Sequence, residues 1–277
     1  MVKPFFSIVI PTLNEEKLLP KILLDLTKQK EQQFEVIVVD GKSEDQTVQK
    51  ATRFEKKLNL KIVSSEKRNL CYQRNLGAKK SQGDYLIFMD ADIRLYKNYL
   101  SILKETIKKN SYLFLTTYQL PDTNDPIDVF LSQMANYGLE ILKIMNKQMA
   151  PGYNFVVYKD IFIKIGGFNE KTTFSEDHEL SIRLLKSGVK VNIIPKKLLK
   201  WSFRRFKKDG HLPIVVKYGF AALYSMLFGE ITDKNFGYQM GGGYFAGDSW
   251  KKDKNIETEV KKYLKKIKIV FQKLISD

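Results

Sequence analysis

The sequence predicts an α/β protein: a mostly parallel sheet flanked by helices, with a basic helical extension at the C-terminal end. Three observations carry this reading. Short runs rich in Val, Ile and aromatics alternate with helically spaced apolar residues through the first half of the chain, the rhythm of strand–helix–strand units. Hydrophobic residues make up 43% of the 277 and aromatics 12%, which supports a large core and excludes a wholly disordered chain. After Pro195 the composition turns basic.

Taken in order, the strands are Phe5–Ile10, Phe34–Val39, Leu60–Val63 and Tyr85–Met89, each too short for a buried helix. Leu19, Ile22, Leu23 and Leu26 place a first helix, and Val48, Ala51, Phe54 and Leu58 a second. Ser43 with Gln46 three residues on reads as a capping box opening that second helix. Gly83 closes a third helix just before the fourth strand. Further along come a helix from Phe130 to Ile144, a strand at Phe155–Tyr158, a helix from Glu179 to Lys186 ended by Gly188, and a strand at Val189–Ile194. Thr116–Ile127 reads as a loop. A sheet of this kind presents its ligand sites at the carboxyl ends of the strands.

Lys196 to Lys208 holds seven basic residues and no acidic one, and Leu212–Gly229 follows with the single charge of Lys217. That apolar stretch only just reaches spanning length, and Pro213, Lys217 and Gly219 favour an interfacial or packed helix instead. Val260, Leu264, Ile267, Phe271 and Leu274 then line one helical face against a lysine-rich remainder. A boundary near residue 205 divides a core domain, 1–205, from a basic amphipathic extension, 206–277. The net charge of +16 points to a polyanionic partner. Cys71 is the single cysteine, which excludes a disulfide scaffold or a Cys-rich zinc site and fits a reducing compartment. Phe5–Pro11 is apolar but Asn14, Glu15 and Glu16 follow at once, so no leader is expected and a cytoplasmic location is.

Two pairs of acids stand out. Asp90 and Asp92 follow the fourth strand directly, and residues two apart in an extended segment face one spot. Two such carboxylates repel unless a cation neutralises them, which Mg²⁺ or Mn²⁺ does together with substrate phosphates. Glu176 and Asp177 open a helix behind Ser175 as N-cap; one of them is a candidate general base. Asp40 ends the second strand, where it could accept a hydrogen bond from a base or ribose.

The order of these features resembles family 2 glycosyltransferases of the GT-A fold. Ser7–Glu16 is similar to their opening strand, Glu35–Thr47 to their second-strand signature, and Arg74–Ala78 with Gly83–Asp92 to the run into their metal motif. Gly166–Glu170 and Glu176-Asp177 with Arg183-Leu184 resemble the acceptor-side signature. The resemblance covers residues 5 to 205 and implies inverting, metal-dependent transfer of a sugar from a nucleoside-diphosphate donor, UDP ahead of GDP. The acceptor it implies is a saccharide or polyprenyl-linked molecule of cell-envelope glycan synthesis. Asp40 matches the acid that contacts the base, with Pro11, Thr12 and Glu15 lining that pocket. Asp90 and Asp92 match the metal motif, Asp92 as the direct ligand, and Asp177 matches the catalytic base beside Glu176. Arg68 and Arg74 are candidates for the nucleotide or diphosphate. Gly41-Lys42 departs from the usual pattern after the base-contacting acid, and a Gln-x-x-Arg-Trp motif is absent, which disfavours a processive polysaccharide synthase.

Some GT-A enzymes complete the metal shell with a C-terminal histidine, which makes His211 a candidate ligand. Arg204-Arg205 beside Trp201, Phe203 and Phe206 suits phosphate recognition. Together, the basic run, the apolar stretch and the Lys-rich tail imply peripheral contact with an anionic membrane at the inner face of the cell membrane. Charge alone would also fit a nucleic-acid binder, but no such signature is present, so no specific nucleic-acid partner is expected. A sugar nucleotidyltransferase would need a glycine-rich phosphate loop after the first strand, and Pro11–Glu16 has no glycine.

Overall fold

The computed structural model describes residues 3–172 and 174–228. Its strands are β1 (Phe6–Thr12), β2 (Phe34–Asp40), β3 (Leu60–Ser64), β4 (Tyr85–Phe88), β5 (Arg94–Leu95), β6 (Phe114–Pro121), β7 (Phe155–Tyr158) and β8 (Asn192–Trp201). They form one sheet in the order β3-β2-β1-β4-β7-β6-β8-β5. β3, β2, β1 and β4 run parallel, β7 is antiparallel to both β4 and β6, and β8 returns parallel to β6. Every residue of β1 and β2 is buried, as expected of parallel strands covered on both faces.

The helices are α1 (Leu19–Thr27), α2 (Thr47–Thr52), α3 (Leu70–Lys80), α4 (Tyr99–Asn110), α5 (Pro126–Ile144), α6 (Lys159–Lys164), α7 (Glu176–Lys186), α8 (Arg204–Asp209) and α9 (His211–Phe228). Alternation along β1 splits the core in two. Phe6, Ile8 and Ile10 pack with Leu19, Leu23 and Leu26 of α1 and with Leu100 and Leu103 of α4. Val9 faces the other way, into a cluster with Ala78 of α3, Phe162 of α6 and Leu184 of α7.

Several local expectations change. Ser43 does not cap α2: its hydroxyl is engaged by Asp40, and Asp45 receives the Thr47 N–H instead at 2.9 Å. α3 ends at Lys80, and Gly83 serves close packing, because a Cβ there would lie 2.7 Å from the backbone of Phe6 and Ser7. Thr116–Ile127 is not a loop. It is most of β6, a short connection over 122–125 and the start of α5, with Thr116 and Thr117 made compatible with burial by the bonds from Thr116 Oγ1 to the Asn154 carbonyl at 2.8 Å and from Asn154 Nδ2 to Thr117 Oγ1 at 3.0 Å. The strand expected at Val189–Ile194 begins at Asn192 and continues past Pro195. The register with β6 jumps from Ile194 to Lys197, a bulge that accepts a residue without an N–H.

No described helix is long and apolar enough to cross a membrane, and α9 is the helix that covers the described part of Leu212–Gly229. The stripe from Val260 to Leu274 lies outside the described residues.

Candidate active site

The parallel registers of β1 with β2 and β4 bring three strand ends to one edge of the sheet, so Thr12, Asp40 and the Asp90–Asp92 turn emerge side by side. Gln73 of α3 ties two of these ends, donating from Nε2 to the carbonyls of Thr12 at 3.0 Å and Val39 at 2.8 Å. Beside this edge lies a cavity of about 460 Å³. Pro11, Thr12, Glu15 and Arg68 line one part of it, Arg74, Asp90 and Asp92 the middle, and Glu176 and Asp177 the far side.

Two guanidinium groups knit the acids together. Arg74, with only 1% of its side chain exposed, donates to Glu176 Oε1 at 2.7 Å and to Asp90 Oδ1 at 3.0 Å. Burial works against its charge, but the carboxylates of Asp90 and Glu176 outweigh that and raise its pKa. Arg204 at the start of α8 holds Glu15 by two bonds, at 2.7 and 3.1 Å, and its Nε lies 3.0 Å from Asp92 Oδ2. Four carboxylates are thus held by two bridging arginines at the centre of the site, with Asp177 beside them. Burial, with Asp90 and Glu15 nearby, pushes the Asp92 carboxyl up to about 7 despite Arg204. Burial likewise raises Glu15.

α7 sets the acceptor-side pair. Ser175 occupies the N-cap position in a left-handed conformation at φ 58° and makes no side-chain cap bond. Asp177 is fixed instead by the backbone: its Oδ2 accepts from the Gly152 N–H at 2.8 Å and its Oδ1 from the His178 N–H at 2.8 Å. Burial raises the pKa of Asp177; burial and the neighbouring Asp177 charge raise that of Glu176.

Two expected site residues stand apart from the cavity. Asp40 is buried behind Thr12, accepting from its Oγ1 at 3.2 Å and from the Ser43 N–H at 2.9 Å. His211 is not brought to Asp90 and Asp92. It opens α9 and places Nε2 2.6 Å from Asp128 of α5, near Asp125, so its local partners are on a different element.

Sequence reasoning missed other cavity residues. In sequence Arg204 belongs to a basic run suited to phosphate; in the fold it turns inward to acids far away along the chain. Tyr153 stacks on Trp201 with centroids 5.3 Å apart and donates its hydroxyl to Gln119 Oε1 at 2.6 Å. The one available signal was Pro151-Gly152-Tyr153, a turn sequence directly before a strand.

The chemistry of the centre suits a hard divalent cation. Its donors are all carboxylate oxygens, they outnumber the guanidiniums, and Asp90 and Asp92 sit on one short turn.

Residues 7–168 match the sequence model of glycosyl transferase family 2. A dolichyl N-acetyl-alpha-D-glucosaminyl phosphate 3-beta-D-2,3-diacetamido-2,3-dideoxy-beta-D-glucuronosyltransferase of Methanococcus voltae is 28% identical over 236 residues, 74% of this chain and 70% of that protein. The poly(ribitol-phosphate) beta-N-acetylglucosaminyltransferase TarS of Staphylococcus aureus is 26% identical over 219 residues. That match takes in 72% of this chain but only 36% of TarS. Solved structures agree in fold. TarS 1–349 in complex with UDP-GlcNAc superposes with a TM-score of 0.58 at 19% identity, covering 79% of this chain and 66% of that one. The mannosyltransferase PcManGT from Pyrobaculum calidifontis, in complex with GDP-Man and Mn²⁺, gives 0.62 at 15% identity, covering 82% and 65%. The architecture is therefore of the GT-A type, and with more than half of its length matched the chain belongs to glycosyl transferase family 2.

Proposed function

We propose that this glycosyltransferase moves a sugar, with inversion, from a nucleoside-diphosphate donor to a hydroxyl or phosphate of a saccharide or lipid-linked acceptor in cell-envelope glycan synthesis. One observation carries the reading: Asp90 and Asp92 on one wall of a cavity and Glu176-Asp177 on another are joined through the single buried guanidinium of Arg74. Donor and acceptor chemistry then meet at one point.

Asp177 is the base. Its two backbone bonds fix its orientation, and burial raises its proton affinity, which strengthens it as a base. It takes the proton of the acceptor hydroxyl as the new bond forms to the anomeric carbon. The bond to the diphosphate oxygen breaks on the opposite face, and its electron pair leaves with the nucleotide; attack from behind inverts the centre. Where the acceptor is a phosphate, its oxygen is already ionised and needs no base. Pro11, Thr12 and Glu15 form the nucleotide end, with Asp40 accepting from the Thr12 hydroxyl behind it, and Arg68 lines the same part of the cavity for the diphosphate. Asp92 and Asp90 would hold Mg²⁺ or Mn²⁺, whose charge, when bound, stabilises the departing diphosphate.

The donor class is supported by the UDP-GlcNAc and GDP-Man complexes of the structural relatives, and the acceptor class by the dolichyl-linked and poly(ribitol-phosphate) substrates in the relatives' names. UDP-sugars come first because TarS is similar in both sequence and fold. We place the catalytic domain within residues 1–205 and assign the basic residues beyond it to peripheral contact with an anionic membrane. The test is a panel of UDP- and GDP-sugars screened for binding and slow hydrolysis with Mg²⁺ or Mn²⁺ present. One saturable, hydrolysed donor is expected; binding of none sinks the reading.

A further inference from the structure

The outward face of α5 is almost wholly apolar. Ile127, Phe130, Met134, Tyr137, Ile141 and Ile144 follow at three- and four-residue steps, each between 49% and 79% exposed. Among the exposed residues of this helix only Gln133 and Lys143 fall outside the apolar and aromatic set. A soluble surface does not leave such a stripe uncovered without a partner. The inner face of the same helix is at the cavity, through Ala135, Gly138, Leu139 and Leu142.

The stripe continues onto neighbouring elements. His211 Nε2 lies 2.6 Å from Asp128, and Leu131 packs against Phe203, Phe206 and Ile214. These contacts set the first turns of α9, with exposed Leu212 and Val215, beside the start of α5. Lysines flank both ends: Lys207 of α8 near the start, Lys143 and Lys147 at the finish, all exposed.

We infer that the α5 face, extended by Leu212 and Val215, docks on an anionic bilayer. An apolar helix face with aromatic and Met side chains and flanking lysines is the composition that lies in a lipid interface. The charge argues for anionic lipid over a second copy of the chain. Each molecule carries +16, and a symmetric contact through α5 would set Lys143, Lys147 and Lys207 of both copies around one patch. Docking in this sense lays a helix that walls the cavity on the membrane, which keeps the site close to a lipid-linked acceptor in the bilayer. That last consequence rests on the acceptor class proposed above; the docking does not.

The experiment is co-sedimentation of the full-length protein with vesicles of phosphatidylglycerol in phosphatidylcholine, against phosphatidylcholine alone. Wild type is compared with a Phe130→Glu, Ile141→Glu double variant; neither residue lines the cavity. The expected result is salt-sensitive binding of wild type to the anionic vesicles and a loss on the order of tenfold or more in the variant. UDP affinity and thermal midpoint serve as controls and stay as in wild type. Equal binding of both proteins, or binding of neither, overturns the inference. So does a wild-type dimer that the variant dissociates. A Met134→Cys probe that is shielded from a water-soluble maleimide without vesicles also overturns it, since another part of the chain then covers the stripe; native Cys71 is buried. Loss of UDP binding in wild type would instead count against the proposed donor and leave the docking result standing.

Discussion

Asp177 shows how much of the proposed chemistry is set within one side chain. The backbone N–H groups of Gly152 and His178 take one carboxylate oxygen each, so the group cannot swing, while burial raises its pKa. Asp177→Asn keeps size and removes proton acceptance. Transfer to a hydroxyl acceptor is expected to fall by roughly 10²–10⁴ with donor affinity within a few-fold of wild type. The sign of the pH effect follows from the same carboxyl. Below its pKa it holds a proton and cannot accept another, so kcat falls on the acid side, with a midpoint above the ordinary carboxylate value of 3.8. A pH–rate profile on wild type shows that limb and the Asn variant lacks it; an unchanged limb in the variant would assign it to another group, and a far larger rate loss in Glu176→Gln would move the base by one residue. Arg74 works differently. Its removal in Arg74→Met leaves Glu176 buried without its counter-charge and Asp90 without its partner. A loss of about 3 kcal/mol is expected from denaturant midpoints, the lower end for a broken buried pair because Asp90 is partly exposed.

Among the elements, those with continuous apolar runs were readable in the sequence. β1, β2, β4 and β7 are short, β-branched or aromatic and buried on both faces, and a chain pattern needs no tertiary information to mark them. β6 was not readable, because Thr116, Thr117 and Gln119 are polar by composition and become core residues only through partners such as Asn154 and Asn136. β8 was cut short at Pro195, which a strand tolerates only at an irregularity that the sheet itself supplies. α4 escaped because its buried positions, Tyr99, Leu100, Leu103 and Ile107, are diluted by lysines on the exposed side. Gly83 has the position of a helix stop in sequence, but its reason lies across the sheet. Gly83→Ala therefore tests packing, not capping: a Cβ at 2.7 Å from the β1 backbone forces β1 or the β4 entry to move. A destabilisation of about 2 kcal/mol is expected in equilibrium unfolding; a neutral or stabilising change would restore the capping role.

At the scale of the whole molecule, the readable part of the site was its local part. Asp90-Ala91-Asp92 and Glu176-Asp177 are each contiguous and follow ordered motifs, whereas the groups that join them come from afar. Arg204 is 189 residues from Glu15, and Arg74 is 102 from Glu176; no periodicity in one sequence reports such pairs. The assembly is consequently a site whose two halves are held by arginines among clustered carboxylates, and on the proposed function a bound cation and nucleotide would add to its stability. Ligands that bind only the folded state stabilise it by mass action, by about 2.7 kcal/mol at a hundredfold excess over Kd. For a chain of this size that corresponds to a rise of roughly 5–10 °C in Tm. UDP with Mn²⁺ is expected to give such a rise and UDP with excess EDTA a much smaller one, with transfer abolished by the chelator. In Asp92→Ala the metal-dependent increment should vanish, while the fold stands because Arg204 keeps its two bonds to Glu15. Undiminished turnover in EDTA, or the full Mn²⁺ increment in Asp92→Ala, would remove the metal from Asp90 and Asp92 and leave the departing diphosphate to the cavity's arginines, Arg68, Arg74 and Arg204 among them.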